Sequence, residues 1–419
     1  MKQAKKVSRR RFMKHSAAGT AALAAPYFIP SSVLAAPGKP GANDRVVIGM
    51  IGVGHRAKQL MEHVPAGGRI VAAADCELAR VPQEFKGRKL NRYQNYHQML
   101  ETEHLDAVIV ATPDHGRVLP CIHACQAGLD VYAEKPLTVC IGEGRVLVNA
   151  VRKYGRVFQV GTQQRTMEMN RFACELVRSG GIGEVKTVLA VNYPGPKRYT
   201  TLPEEPMPKD FDWDMWCGQT DLRPYNQQLH RGWMQWRSYS GGEVTNWGAH
   251  GLDQIQWALG MSQSGPRELW LDERGHVRMK YASGVVVRLS QEKGPYGGGI
   301  FIGSKAKIEI NRNKFTTNPP DFVKDPPAPA TAKIWEGPGW IARPHIQNWL
   351  DCIKTRALPN ADVEIGHRSV TVCHLVGITR ELGRKLYWDP KTESFLNDSE
   401  ANTYVLRPRR KGYELPDPI

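Results

Sequence analysis

The chain has 419 residues, 41% hydrophobic and 23% charged, an ordinary globular composition with room for two or three domains and full cores. Its formal charge of +16 would suit a polyanion binder, but seven of the basic residues fall within positions 1–35, which hold no acid, and the rest are scattered rather than striped. The composition thus excludes a wholly disordered chain and argues against a nucleic-acid partner.

Residues 1–35 read as an export signal, with a basic start, an Ala-rich apolar stretch from Ser16 to Phe28, and small residues near Val33-Leu34-Ala35 suited to cleavage. Ser8-Arg9-Arg10-Arg11-Phe12-Met13-Lys14 looks like a twin-arginine signal, the type that exports folded proteins. No stretch reaches the roughly 18 apolar residues of a membrane span. The expectation is a mature protein starting near Ala36, periplasmic or otherwise exported, without stable membrane insertion. The eight cysteines include no Cys-x-x-Cys pair, so neither a zinc site nor a disulfide framework is expected, and Cys121 and Cys125, one helical turn apart, read as buried thiols.

After a Gly- and Pro-bearing linker, Pro37 to Asp44, residues 36–160 read as a nucleotide-binding domain. An apolar strand from Arg45 to Ile51 enters a glycine turn and then a helix, Lys58 to Val64. Gly52 permits the turn, Gly54 lets the backbone approach a diphosphate, and small Ala57 allows close packing. The amides around His55 and Arg56 then face that diphosphate. A second strand, Arg69 to Ala74, ends in Asp75, placed to hydrogen-bond ribose hydroxyls and to repel a 2′-phosphate, which favours NAD while leaving NADP open. Helix Tyr96 to Glu103, strand Asp106 to Ala111, helix Gly116 to Ala127, strand Leu129 to Ala133, helix Gly142 to Tyr154 and strand Val157 to Val160 continue the alternation. This predicts a doubly wound parallel sheet whose crossovers bring Thr112-Pro113-Asp114 and Glu134-Lys135-Pro136 to the same crevice as the glycine turn. Lys135 at a strand's carboxyl end is a candidate for chemistry; a surface pair with Glu134 is the bland alternative.

With these residues in view, the chain resembles the Gfo/Idh/MocA family of glucose-fructose oxidoreductases and inositol dehydrogenases. The resemblance rests on the glycine turn, on Thr112-Pro113-Asp114-His115 and above all on Ala133-Glu134-Lys135-Pro136-Leu137, and it extends over essentially the whole mature chain. It implies a Rossmann domain with a bound nicotinamide cofactor, contacted by Gly52, Gly54, His55, Arg56, Asp75, Thr112, Pro113, Asp114, His115, Glu134 and Lys135, with Lys135 also beside the reacting carbinol. Many members read Thr-Pro-x-x-x-His where this chain has Arg117, so that histidine's role does not carry over, and whether His115 replaces it stays open.

From Gly161 strands follow one another: Val185 to Tyr193, Glu268 to Asp272, Val277 to Tyr281, Val285 to Gln291 and Ile300 to Ile310, with a hairpin at Ser283-Gly284. Residues 161–388 are therefore expected to form an α+β domain with a large, mainly antiparallel open sheet; the resemblance implies that this sheet carries substrate on one side and makes a homo-oligomer contact with the other. Trp213, Tyr225, Trp236 and Arg237, on an aromatic-rich connection, and Gln163, Gln164 and Arg165, after the first domain, are candidates for binding a sugar, whose C–H faces stack on rings. Core packing and domain-interface hydrogen bonds are the alternatives. In Glu243-Val244-Thr245-Asn246-Trp247-Gly248-Ala249-His250, Asn246 and His250 share a helical face if the helix that follows already includes Asn246. The resembled family places Asp four residues before this His, which handles the substrate proton together with the lysine. An amide at 246 could fix the imidazole tautomer but not stabilise its cation; Asp253 and Glu243 could compensate. Helices Pro344 to Lys354 and Gly366 to Leu386 should pack back on the first domain. The tail, 389–419, with its Arg407 to Lys411 cluster, reads as a solvated or oligomer-contact segment.

The expected activity is hydride transfer between a sugar carbinol and a tightly retained NAD, with His250 as base, Lys135 stabilising the alkoxide, and Asn246 assisting. Redox-neutral cleavage of a glycoside on the same cofactor, and sugar binding without catalysis, are alternatives. No carboxylate cluster suggests a metal.

Overall fold

The computed structural model describes residues 41, 44–312, 314–326 and 342–416; the predicted export signal and most of the linker lie outside them. At the start, the Gly41 amide donates to the Asp44 carboxylate at 3.2 Å. The chain from Val46 onward forms one unit.

Its first half contains β1 (Val46–Ile51), β2 (Gly68–Ala74), the small hairpin of β3 (Glu84–Phe85) and β4 (Arg88–Lys89), β5 (Asn91–Tyr93), β6 (Ala107–Val110), β7 (Asp130–Ala133) and β8 (Phe158–Val160). Six of these form a parallel sheet in the order β5-β2-β1-β6-β7-β8. β6 and β7 are buried at every position, as strands covered by helices on both faces must be, and Asp130, which opens β7, is paired with Arg356 at 2.6 Å. The helix after the glycine turn begins at His55, three residues earlier than the sequence suggests, and buries Ala57, Leu60 and Met61 along one stripe. The order reverses between β1 and β6, which opens a crevice outside the strands' carboxyl ends.

The second half supplies β9 (Val185–Val191), β10 (Glu268–Leu271), β11 (Val277–Lys280), β12 (Val286–Gln291), β13 (Gly299–Gly303), β14 (Lys307–Asn311), β15 (Lys314–Asn318), β16 (Leu386–Asp389) and β17 (Ser394–Phe395). They form one nine-stranded sheet in the order β15-β14-β13-β9-β12-β11-β10-β16-β17, antiparallel except for β9 against β12. Alternate residues such as Val188, Val287, Met279, Phe301 and Ile308 point into a core shared with helices Glu168–Arg178, Gly248–Ala258 and Val363–Leu382.

Several expectations are corrected. The predicted strand Ile300 to Ile310 is a hairpin, because the chain turns at Gly303, whose amide bonds Ala306 O at 3.0 Å. The long C-terminal helix stops at Leu382, where Gly383 takes the left-handed conformation, and Leu386 belongs to a strand instead. The tail is not a free appendage: it adds β17 and a short helix, Ser399–Asn402, and its arginines are engaged. Arg409 pairs with buried Glu143, and Arg410 with Asp214. All eight cysteines are free thiols and seven are buried, Cys121 and Cys125 among them. Among the described residues no helix is long and apolar enough to cross a membrane.

Candidate functional site

The crevice at the switch point is a cavity of about 550 Å³ lined by Gly52, Gly54, Asp75, the Thr112–Asp114 segment and the Glu134–Pro136 segment. Gly52 has φ +82°, and a Cβ there would meet the Thr112 amide nitrogen at 2.8 Å, so only glycine fits between β1 and β6. A Cβ at Gly54 would meet nothing nearer than Arg80 Nη1 at 3.6 Å, which leaves backbone open to a ligand. Asp75 accepts from the amides of Val53 at 2.7 Å and Glu77 at 2.9 Å, so it braces the glycine turn while facing the cavity. Burial raises its pKa against the pull of those two amides. Thr112 Oγ1, in the cavity wall, is buried with no hydrogen-bond partner among the described residues. An open glycine turn, a helix N-terminus, an acid at the β2 end and an orphaned hydroxyl together fit a dinucleotide.

At the inner end, buried Glu134 accepts from Arg56 Nε at 2.8 Å. Burial would raise its pKa, but Arg56 and Lys135 outweigh that and hold it below the usual range. Arg56 also donates to Gln163. Lys135 Nζ donates to Asn246 Oδ1 at 2.8 Å and to Asn246 O at 3.3 Å. Burial lowers the Lys135 pKa to about 8, although Glu134 and Asp114 pull upward. Asn246 Nδ2 donates to Glu243, so both ends of the amide are occupied.

His250 is 4% exposed, and its Nδ1 has no hydrogen-bond partner among the described residues. Burial, with Lys135, Arg312 and Arg56 nearby, pushes its pKa well below the usual value, so the ring is neutral. The expected imidazole–amide contact does not form. A short helix, Glu243–Asn246, ends at Trp247 before Gly248–Ala258 begins, and the Asn246 oxygen is taken by Lys135. Neither proposed compensating acid serves His250 in its place. Asp253 is held by Arg165 and Ser369, and Glu243 by Asn246.

Other expected site residues are buried elsewhere. His115 does not line the crevice; its Nε2 donates to Trp216 O at 2.7 Å, the ring packs on Trp216 and Tyr239, and its pKa is pushed down to about 4 by burial. Arg165 forms a buried pair with Asp253, 2.8 Å, and braces the second domain. Trp213, Tyr225 and Trp236 form the core of the aromatic connection, where Trp213 stacks on Trp216 at 4.5 Å. Arg237 pairs with Glu381 at 2.7 Å, away from the crevice. Packing won because an irregular segment with short helices needs its own apolar centre.

The same connection supplies crevice residues: Met215, Trp216 and Trp233, which belong to the aromatic-rich stretch offered by the sequence as a pocket, and His230, Arg231 and Met234, which the sequence reading missed. It is tied down over the Asp75 end. Glu77 receives Arg80 and Arg231, the latter at 3.0 Å, while the Asp212 amide bonds Cys76 O at 2.9 Å and the Leu78 amide bonds Asp210 O at 3.2 Å. Arg117 also has a clear role. Buried, it donates to Thr112 O at 2.6 Å and to Pro136 O, tying the two signature segments together.

A family model described as the oxidoreductase-family NAD-binding Rossmann fold matches residues 46–162, and one described as the oxidoreductase-family C-terminal alpha/beta domain matches residues 196–415; both carry the name Gfo/Idh/MocA. Among curated proteins, scyllo-inositol 2-dehydrogenase (NAD(+)) of Bacillus subtilis (strain 168) is 30% identical over 140 residues, 33% of this chain and 40% of that protein. Rhizopine catabolism protein MocA of Rhizobium meliloti is 24% identical over 221 residues, 52% of this chain and 58% of that protein. The matches thus span about half of these relatives' lengths. Among solved structures, levoglucosan dehydrogenase in complex with NADH and levoglucosan superposes with TM-score 0.60 at 15% identity, over 82% of this chain and 99% of that one. Aldose-aldose oxidoreductase from Caulobacter crescentus, complexed with glycerol, gives 0.57 at 17% identity, over 82% and 99%. At these identities the likeness is one of fold.

Proposed function

The chain belongs to the Gfo/Idh/MocA oxidoreductase family, and from that premise we propose that it is an NAD-dependent dehydrogenase that oxidises a carbinol of a sugar or sugar derivative and retains its cofactor between turnovers. The observation that carries this reading is Lys135, its pKa lowered to about 8, held on Asn246 at the inner end of the crevice beside neutral His250. A nicotinamide bound there supplies the hydride acceptor.

The chain's own groups then divide the proton work. A base serves best when its pKa lies near the working pH, which favours Lys135 over the strongly depressed imidazole. Lys135 takes the hydroxyl proton, and His250 hydrogen-bonds the same oxygen and orients it. This reverses the emphasis expected from sequence, where His250 was the base. Arg56 and Glu134 neutralise one another beside the lysine and keep the local field nearly balanced. Asp75 supports NAD over NADP, since its carboxylate faces the crevice where a 2′-phosphate would be repelled.

Retention is supported by the aromatic connection tied over the Asp75 end through Glu77. It suits the twin-arginine-like segment at Ser8–Lys14, since an exported, folded enzyme would have to carry its cofactor with it. The open face of the nine-stranded sheet, where Ile300, Leu189, Arg288 and Arg278 follow one another across four strands, supports a homo-oligomer that packs these faces together. The test is to denature the purified protein, assay the supernatant for nicotinamide nucleotide, and then follow nicotinamide absorbance of the native protein with a panel of sugars and cyclitols. Released NAD and reduction by at least one polyol are expected; absence of both bound and added cofactor binding would overturn the reading.

A further inference from the structure

A second cavity of about 850 Å³ lies between the Val139–Glu143 segment, helix Val363–Leu382 and the tail, and it shares no lining residue with the cofactor crevice. The short helix Glu243–Asn246 separates the two: Val244 and Thr245 face the second cavity, and Asn246 faces the first. Six arginines line it, Arg198, Arg237, Arg380, Arg407, Arg409 and Arg410, against three carboxylates, Glu143, Asp221 and Glu381.

The carboxylates are already committed. Glu381 is shared by Arg198 and Arg237, Glu143 is paired with Arg409, and Asp221 with Arg223. Arg380 and Arg407 pair with no carboxylate among the described residues. Arg380 donates to Tyr193 O and Asn192 Oδ1, both at 2.7 Å, and Arg407 donates to Arg237 O at 2.7 Å. Burial is the largest influence on both guanidinium groups and lowers their pKa, although Glu143 nearby pulls that of Arg407 upward. His374, in the same wall, is pushed down to about 3 by burial and adds no charge at neutral pH.

The wall is also shaped for an organic body. The rings of Tyr199 and Tyr404 line the cavity, and both are half-buried. Gly377 sits inside the long helix, where glycine is less favourable than alanine, yet a Cβ there would meet nothing within 4 Å. The position therefore opens onto space rather than onto a packed neighbour.

We propose that this cavity binds a small sugar-like oxyanion, a polyol bearing a carboxylate or a phosphate ester, with Arg407 and Arg380 meeting the anionic group and the tyrosine rings meeting the carbon skeleton. Guanidinium groups suit both oxyanions, and aromatic rings suit sugar C–H faces. The site needs no turnover at Lys135, so its test is independent of the proposed oxidoreductase activity.

The test is calorimetric titration of the full chain with glucuronate, glucose 6-phosphate, inorganic phosphate and glucose. At least one charged sugar should bind at least tenfold more tightly than phosphate or glucose. Arg407→Gln should weaken that binding about tenfold or more, with partial rescue by Arg407→Lys. Gly377→Leu, which fills the cavity while favouring the helix, should abolish it and leave NAD binding unchanged. No binding by either charged sugar, equal binding of phosphate and sugars, or charged-sugar binding that survives both Arg407→Gln and Gly377→Leu overturns the proposal.

Discussion

Lys135 Nζ donates to the side-chain oxygen of Asn246 at 2.8 Å, so residue 246 gives the lysine a neutral acceptor where an aspartate would give it a charged one. With burial dominant, the ammonium is destabilised and its pKa falls to about 8. The amine form that accepts a proton is the minority species at pH 7 and the majority above 8. Oxidative turnover should therefore rise with pH through about 8. Asn246→Asp places a negative charge against the ammonium and should move this limb upward by about one unit or more, read from kcat against pH. An unmoved limb would assign it to another group. Lys135→Met should lower kcat by about 10²-fold or more while cofactor content is unchanged.

Glu77 joins Arg80 and Arg231 above the Asp75 end of the crevice, Arg231 at 3.0 Å. Glu77→Gln removes the charge that holds this connection and should speed cofactor release about tenfold, equivalent to about 1.4 kcal/mol. Stopped-flow displacement of bound NADH by excess NAD measures it. A release rate equal to the parent's would place retention elsewhere.

The parallel sheet was legible because β1 and β6 are continuous apolar runs, β7 is apolar after Asp130, and the glycine turn follows directly on β1. Lys135 and Asp75 were legible because strand ends fix where their side chains arrive. The aromatic connection was not. Trp213 and Trp216 are three residues apart in one short helix, yet Trp216 lines the crevice while Trp213 is packed behind it. Composition carries no record of which ring faces in. The partner of Asn246 was equally hidden, since helical spacing pointed to His250, and Lys135 lies 111 residues away. β15 and β17 escaped notice because one has a single apolar residue, Phe315, among four polar ones and the other has only two residues.

The aromatic reading has a direct check. Trp213 is 7% exposed and stacked on Trp216 at 4.5 Å, so Trp213→Ala should cost about 3–5 kcal/mol of stability. Trp233 is half-buried in the crevice wall. Trp233→Ala should change stability far less and weaken NAD binding more. Denaturant unfolding and cofactor titration of the two variants separate these effects.

Buried neutral histidines set the acid limit of the fold. Burial holds His115 and His345 at about 4 and His374 at about 3. Each would titrate near 6.5 in the unfolded chain. Because the folded value is the lower one, the unfolded state binds more protons between these limits, and stability falls as pH drops below about 6.5, continuing until the folded groups titrate near 4 and 3. Each histidine contributes a slope of up to about 1.4 kcal/mol per pH unit within that window. His345 is anchored to Val160 O at 2.9 Å and to Thr166 Oγ1 at 2.7 Å, so it serves two partners without a charge. His345→Gln should flatten the acid limb of a plot of unfolding free energy against pH by about one proton. A limb of unchanged slope would mean that His345 already carries its proton in the folded protein.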